Sequence, residues 1–148
     1  MEKYYTPEIT EFFVGFEYER FVPRSNATEE ECWEKLEMSV NYLSLDDIDD
    51  EIIEKEIKVK YLDKEDIESL GFIYKGVNAF GGLSFEKIKP VFGFNNTEFT
   101  KIVLNQNTGV TIEQKIESGY DNSWCTKFEG TIKNKSELVK LLKQLNIE

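Results

Sequence analysis

The sequence predicts an α+β fold: a single domain over residues 1–148, with a largely antiparallel sheet, short helices and a C-terminal amphipathic helix packed on it. Three observations predict it. Helical patterns concentrate before residue 71 and hairpin patterns after it, rather than alternating as βαβ units do. Residues 99–116, "FTKIVLNQNTGVTIEQKI", place two alternating runs around a polar Asn-Gln-Asn-Thr-Gly connection, the pattern of a hairpin. The chain then runs into "NKSELVKLLKQLNI", where Leu138, Leu141, Leu142 and Leu145 form one apolar stripe. At 148 residues and 40% hydrophobic, the chain is long enough to bury a core.

In chain order, "EITEFFVGFEYERFV" reads as a long strand, with Phe16 and Tyr18 two residues apart and Pro23 ending it. "NATEEECWEKLEMSV" reads as a short amphipathic helix, since Thr28 and Glu31 have capping-box spacing and Cys32, Trp33, Leu36 and Val40 fall at helical intervals. "SLDDIDDEIIEKE" repeats Leu45, Ile48 and Ile52 one turn apart, which predicts a second helix. In "IKVKYLD", Ile57, Val59 and Tyr61 alternate with lysines, as in a strand with one buried face.

The acidic stretch "DKEDIE" that follows is a helix start. Asp63 stands at the N-cap with Asp66 three residues on, Leu62 and Ile67 have staple spacing, and Gly71 supplies a left-handed C-cap. "GFIYKGV" and "KPVFGFN" read as short strands separated by a flexible "NAFGGLSF". "SWCTKFEGTI" is a further strand, and Asn134 with Glu137 caps the last helix.

Composition excludes several chemistries. The chain has no histidine, which removes the usual general base, the usual activator of a serine or cysteine nucleophile and the commonest metal ligand. Cys32 and Cys125 match no metal or redox spacing and read as buried free thiols. The acids of Asp46, Asp47, Asp49, Asp50 and Glu51 lack the glycine and distal glutamate of a calcium loop and read as a solvated helix face. "FGGLSF" has neither the spacing nor the lysine of a phosphate-binding loop. The expectation is a protein without catalytic residues, metal or cofactor.

The net charge of −11 is uneven: residues 1–71 hold 21 acidic and 8 basic side chains, and residues 72–148 hold 8 and 10. Such a chain repels phosphate backbones, so direct nucleic-acid binding is not expected. No apolar run is long enough to span a bilayer and the first residues lack a signal-peptide layout, so the expected compartment is the cytoplasm.

The 2 tryptophans, 7 tyrosines and 11 phenylalanines admit two readings, an aromatic-rich core or a surplus at the surface, and surplus aromatic residues at a surface mark recognition sites. The expected site joins the N-terminal strand to the glycine-rich residues 76–85, with Tyr18, Arg20, Arg24, Lys75, Phe80 and Phe85 as its candidate contacts. Lys87 and Lys89 are further candidate cations for an anionic ligand.

Three blocks, "YYTPEITEFFVGFEYE", "EIKVKYLDKEDIESLGF" and "GTIKNKSELVKLLKQLNI", resemble a family of small uncharacterised proteins encoded by Bacteroidetes bacteria and their phages. The resemblance covers about a third of the chain and carries over no catalytic residue. It implies a phage or mobile-element origin, hence the host cytoplasm. It also implies a small binding protein that acts against host defence, by masking a host protein or capturing a nucleotide signal. A virion or assembly component, built as a homo-oligomer, is the structural rival, and a carboxylate-based hydrolase a more distant one.

Overall fold

The structure, a computed structural model, describes residues 3–39, 45–53, 55–91, 96–105, 109–117 and 123–147. The protein is an α+β fold with two antiparallel sheets, and its backbone forms two compact units, Met1–Tyr61 and Leu62–Glu148. The single sheet expected from the sequence is thus two sheets, each with its own core.

In the first unit, strands β1 (Tyr4–Tyr5), β2 (Glu17–Phe21), β3 (Trp33–Glu37) and β4 (Ile57–Lys60) make a sheet of order β1-β4-β2-β3, accompanied by helix α1 (Leu45–Ile53). Its core gathers Phe16, Tyr18, Met38, Ile48, Ile57 and Val59, with Tyr5, Phe12 and Phe13 packed against them. The rings of Phe12 and Phe16 stand 4.9 Å apart and those of Phe12 and Tyr18 5.5 Å. The N-terminal aromatic residues therefore build a core, where ring pairs add to simple burial.

Two expectations are corrected here. The long N-terminal strand begins only at Glu17, because Ile9–Glu11 forms a 3-10 turn in which Glu8 and Glu11 cap each other. The helix expected over 28–40 is a single 3-10 turn, Glu30–Cys32, followed by strand β3. Only half of the expected capping box forms: Glu31 accepts the Thr28 N–H at 2.8 Å and the Thr28 hydroxyl at 2.9 Å, but the turn's N-cap is Glu29 and no side chain caps it. The following residues instead pair with β2, with Glu19 opposite Lys35, Arg20 opposite Glu34 and Phe21 opposite Trp33. Opposite charges and an edge-to-face ring pair across a ladder outweigh a weak helical preference. Val40, part of the expected stripe, lies outside the described residues.

In the second unit, β5 (Ile73–Val77), β6 (Leu83–Val91), β7 (Asn96–Leu104), β8 (Gly109–Glu117) and β9 (Cys125–Thr131) pair antiparallel in chain order. Helices α2 (Lys64–Ser69) and α3 (Lys135–Gln144) supply Ile67, Leu138 and Leu142 to a core shared with Phe85, Ile102, Val110 and Ile112 of the sheet. The capping at Asp63 and Asp66 forms as expected, as does the left-handed Gly71 (φ +84°). At α3, Asn134 accepts the Glu137 N–H at 2.9 Å, while Glu137 accepts the N–H of Lys133 at 2.7 Å, one residue earlier than a capping box uses.

The region expected to be flexible shrinks to residues 78–82, because "LSF" is the start of the nine-residue β6. Pro90 lies in that strand beyond the last residue paired with β5, so one side of the strand is a free edge there, the kind of position where a sheet tolerates proline. The hairpin of β7 and β8 forms as expected; residues 106–108 of its connection and 92–95 lie outside the described residues. Cys32 is buried as expected, but Cys125 is exposed, because it opens a strand at the sheet edge. Among the described residues no helix is long and apolar enough to cross a membrane.

Candidate binding surface

The six candidate contacts divide between the units. Tyr18, Arg20 and Arg24 belong to the first, Lys75, Phe80 and Phe85 to the second. Tyr18 is only 6% exposed and part of the first core, so its assignment as a surface contact is corrected: alternation along β2 turns it inward beside Phe12. Arg20 pairs with Glu51 at 3.2 Å and Arg24 with Glu34, so both guanidinium groups are engaged within the chain. Lys75 lies 3.8 Å from Glu86 on the neighbouring strand.

Phe85 is fully buried, which corrects its assignment as a stacking residue; opposite Ile102 in the ladder, it faces the helices. Phe80, five positions earlier, is 93% exposed, the most exposed of the large hydrophobic side chains described.

The turn that carries Phe80 is closed by hydrogen bonds rather than left slack. The Asn78 N–H donates to Gly82 O at 2.8 Å, and the Asn78 side-chain oxygen accepts from the N–H groups of Phe80 and Gly82, both at 2.9 Å. Gly81 adopts φ +83°, a conformation that closes the turn and that glycine takes at no steric cost. Val77, at the base of the turn, is also exposed. The result is an aromatic side chain held out in solvent on a fixed backbone.

A second feature, absent from the expectations, is the sheet face turned away from α2 and α3. Ladder register places Ile88, Phe99 and Lys115 side by side across it, with Trp124 just before Cys125 at the end of the row. The Lys115 Nζ lies 4.4 Å from the Phe99 ring centre and 5.2 Å from that of Trp124. Lys115 and Lys101 are bound to Glu117 at 2.7 Å and Glu113 at 2.9 Å. This face is thus charge-balanced and internally paired. The signal that could have found it was the second parity of the same hairpin, in which Phe99 and Lys115 alternate with the core residues Ile102 and Ile112.

Lys87 and Lys89 face the helix side. The Lys87 ammonium donates to Leu70 O at 3.2 Å, and both lysines line, with Glu98, Thr100, Asn146 and Ile147, a cavity of about 10 Å³, room for a single water. The Thr28 N–H and hydroxyl donate to the Glu31 carboxylate and hold its pKa below the usual value. It is solvent-exposed and serves the local turn. No group of three or more His, Cys, Asp or Glu side chains that could hold a metal occurs among the described residues; the side chains of Asp46 and Asp47 are not among them.

No protein-family model matches the chain, and neither a curated protein nor a solved structure matches it.

Proposed function

We propose that the protein acts by binding, and that the hairpin of β5 and β6 presents Phe80 as the anchor that enters an apolar pocket of a partner protein. One observation carries this reading: a phenylalanine 93% exposed on a turn closed by its own hydrogen bonds. An exposed aromatic ring costs solvation free energy without helping the fold, and a turn already fixed loses little further entropy on association. Aromatic anchors of this kind dominate interface energies.

A protein partner fits better than a nucleotide signal. Arg20, Arg24 and Lys75 are paired with carboxylates of the chain itself, which leaves these cations poorly placed to neutralise phosphates. The resemblance to Bacteroidetes and phage proteins supports the same class, a small protein that masks a host component.

The test is affinity capture from a bacterial host lysate with the parent protein and Phe80→Ala side by side. A partner held by the parent and lost with the variant, at unchanged thermal stability, supports the reading. Identical capture profiles would remove Phe80 from the site.

A further inference from the structure

We propose that Asn105, at the mouth of the neighbouring β7–β8 hairpin, is a positioning residue for the Phe80 turn: its carboxamide takes the place of the side chain that Gly82 lacks and braces the turn against the sheet. This role rests on the reading of Phe80 as the anchor and adds what holds the anchor still.

Register brings the two residues together. Strand β6 meets β7 with Leu83 opposite Leu104 and Ser84 opposite Val103, so one step beyond the ladder Gly82 falls opposite Asn105. Side chains two apart along a strand point the same way, which puts Gly82, Val103 and Asn105 on one face. A Cβ on Gly82 would stand 2.5 Å from Asn105 Oδ1, 2.9 Å from Val103 Cγ1 and 3.1 Å from Asn78 Nδ2. Its space is already filled, from β7 on one side and from the turn's own Asn78 on the other.

Crowding, not conformation, demands glycine here. Unlike Gly81, Gly82 does not take a positive φ, so its backbone would accept other residues. Val103 is β-branched and only 6% exposed, which leaves it little freedom to turn aside. Asn105 is tied to its own hairpin, its N–H donating to Gly109 O at 2.7 Å.

The contacts then run in series to the anchor. Asn105 packs on Gly82, and the N–H of Gly82 donates to the Asn78 side-chain oxygen, which also accepts from the Phe80 N–H. The turn cannot slide across the sheet without displacing Asn105. The hydrogen bonds within the turn fix its shape, and Asn105 fixes where that shape sits.

Backbone ¹⁵N relaxation of the full chain, with no partner present, reads this role. In the parent, Ala79, Phe80 and Gly81 are expected to be as ordered as the flanking strands, with order parameters of about 0.85. Asn105 is exposed, so Asn105→Ala leaves the fold intact, and it is expected to drop the three residues below about 0.6 while β6 and β7 stay ordered. Gly82→Ala disorders the same residues by pushing the Asn78 carboxamide aside. Gly82→Ala combined with Asn105→Ala recovers part of the order, because the new methyl group enters the vacated space. Order at residues 79–81 that Asn105→Ala leaves unchanged, or a double variant no more ordered than Gly82→Ala alone, would each overturn the proposal. The anchor itself is judged separately by the Phe80→Ala capture, so a failed brace leaves that reading standing, and a failed anchor does not alter the relaxation result.

Discussion

Asp63 and Asp66 cap each other: the Asp66 N–H donates to the Asp63 carboxylate at 3.1 Å, and the Asp63 N–H donates to the Asp66 carboxylate at 3.2 Å. Two acids that could pass for a catalytic pair are thereby committed to the first turn of α2. Asp63→Ala lowers stability by about 1 kcal/mol, the usual worth of an N-cap. Asp63→Asn, which also caps, loses much less. Equilibrium urea denaturation checks both, and equal losses for the two variants would show that the carboxylate does something other than cap.

Phe80 and Phe85 make a paired test of inside against outside. Phe85→Ala leaves a cavity in the second core and costs about 3–5 kcal/mol. Phe80→Ala stays within about 0.5 kcal/mol of the parent, since the ring touches mainly water. Thermal melts of the two variants distinguish them; a large loss for Phe80→Ala would mean that its ring is covered in solution.

Leu142→Asp places a carboxylate among Ile67, Phe85 and Leu138, with no partner charge among these buried neighbours. The loss is about 3 kcal/mol or more. Circular dichroism is expected to show a transition lowered by many degrees or no folded baseline. A melt within a few degrees of the parent would show that α3 contributes little to the core.

Gly71→Val strains the backbone rather than the packing. At φ +84° a β-branched side chain is disfavoured, while the space a Cβ would enter meets only the end of Lys87 at 3.7 Å. The cost is about 1–2 kcal/mol. Gly71→Asn recovers part of it, because asparagine tolerates the left-handed region. If valine and asparagine cost the same in denaturant titrations, crowding and not conformation is the cause.

Glu31 supplies the pH-dependent prediction. Hydrogen bonds from the Thr28 backbone N–H, then its hydroxyl, lower the carboxyl pKa in the fold. Its contribution is therefore complete above the ordinary glutamate pKa and disappears as pH falls through the lowered folded value. In an NMR titration, Thr28→Ala moves the Glu31 midpoint part of the way up, since the backbone donor, the larger cause, remains. A midpoint unmoved by the substitution would mean that the hydroxyl contributes nothing.

What could be read from the sequence was what short segments decide for themselves. The caps at Asp63 and Asn134, the left-handed Gly71 and the hairpin of β7 and β8 depend on residues a few positions apart, and all formed. The segment Trp33–Glu37 was missed because its state depends on β2, whose Phe21 and Glu19 supply the matching ring and charge from a distance in sequence. The candidate site divided in the same way. The glycine-rich turn around Phe80 is a local feature and was legible. Whether Tyr18 and Phe85 point in or out depends on strand parity, and a start misplaced by a few residues reverses it.

The strand order β1-β4-β2-β3 has a consequence for a chain made from its N-terminus. While it is being synthesised, β2 and β3 can meet as soon as both exist, but β1 and β2 are joined only through β4, which arrives some forty residues later. A nascent chain paused before Ile57 therefore holds Tyr5, Phe16 and Tyr18 without the strand that completes their core. Residues 73–131 have no such interval, since each new strand pairs with the one just made. Chaperone capture during translation is accordingly expected early, in the window that closes when Lys60 clears the ribosome.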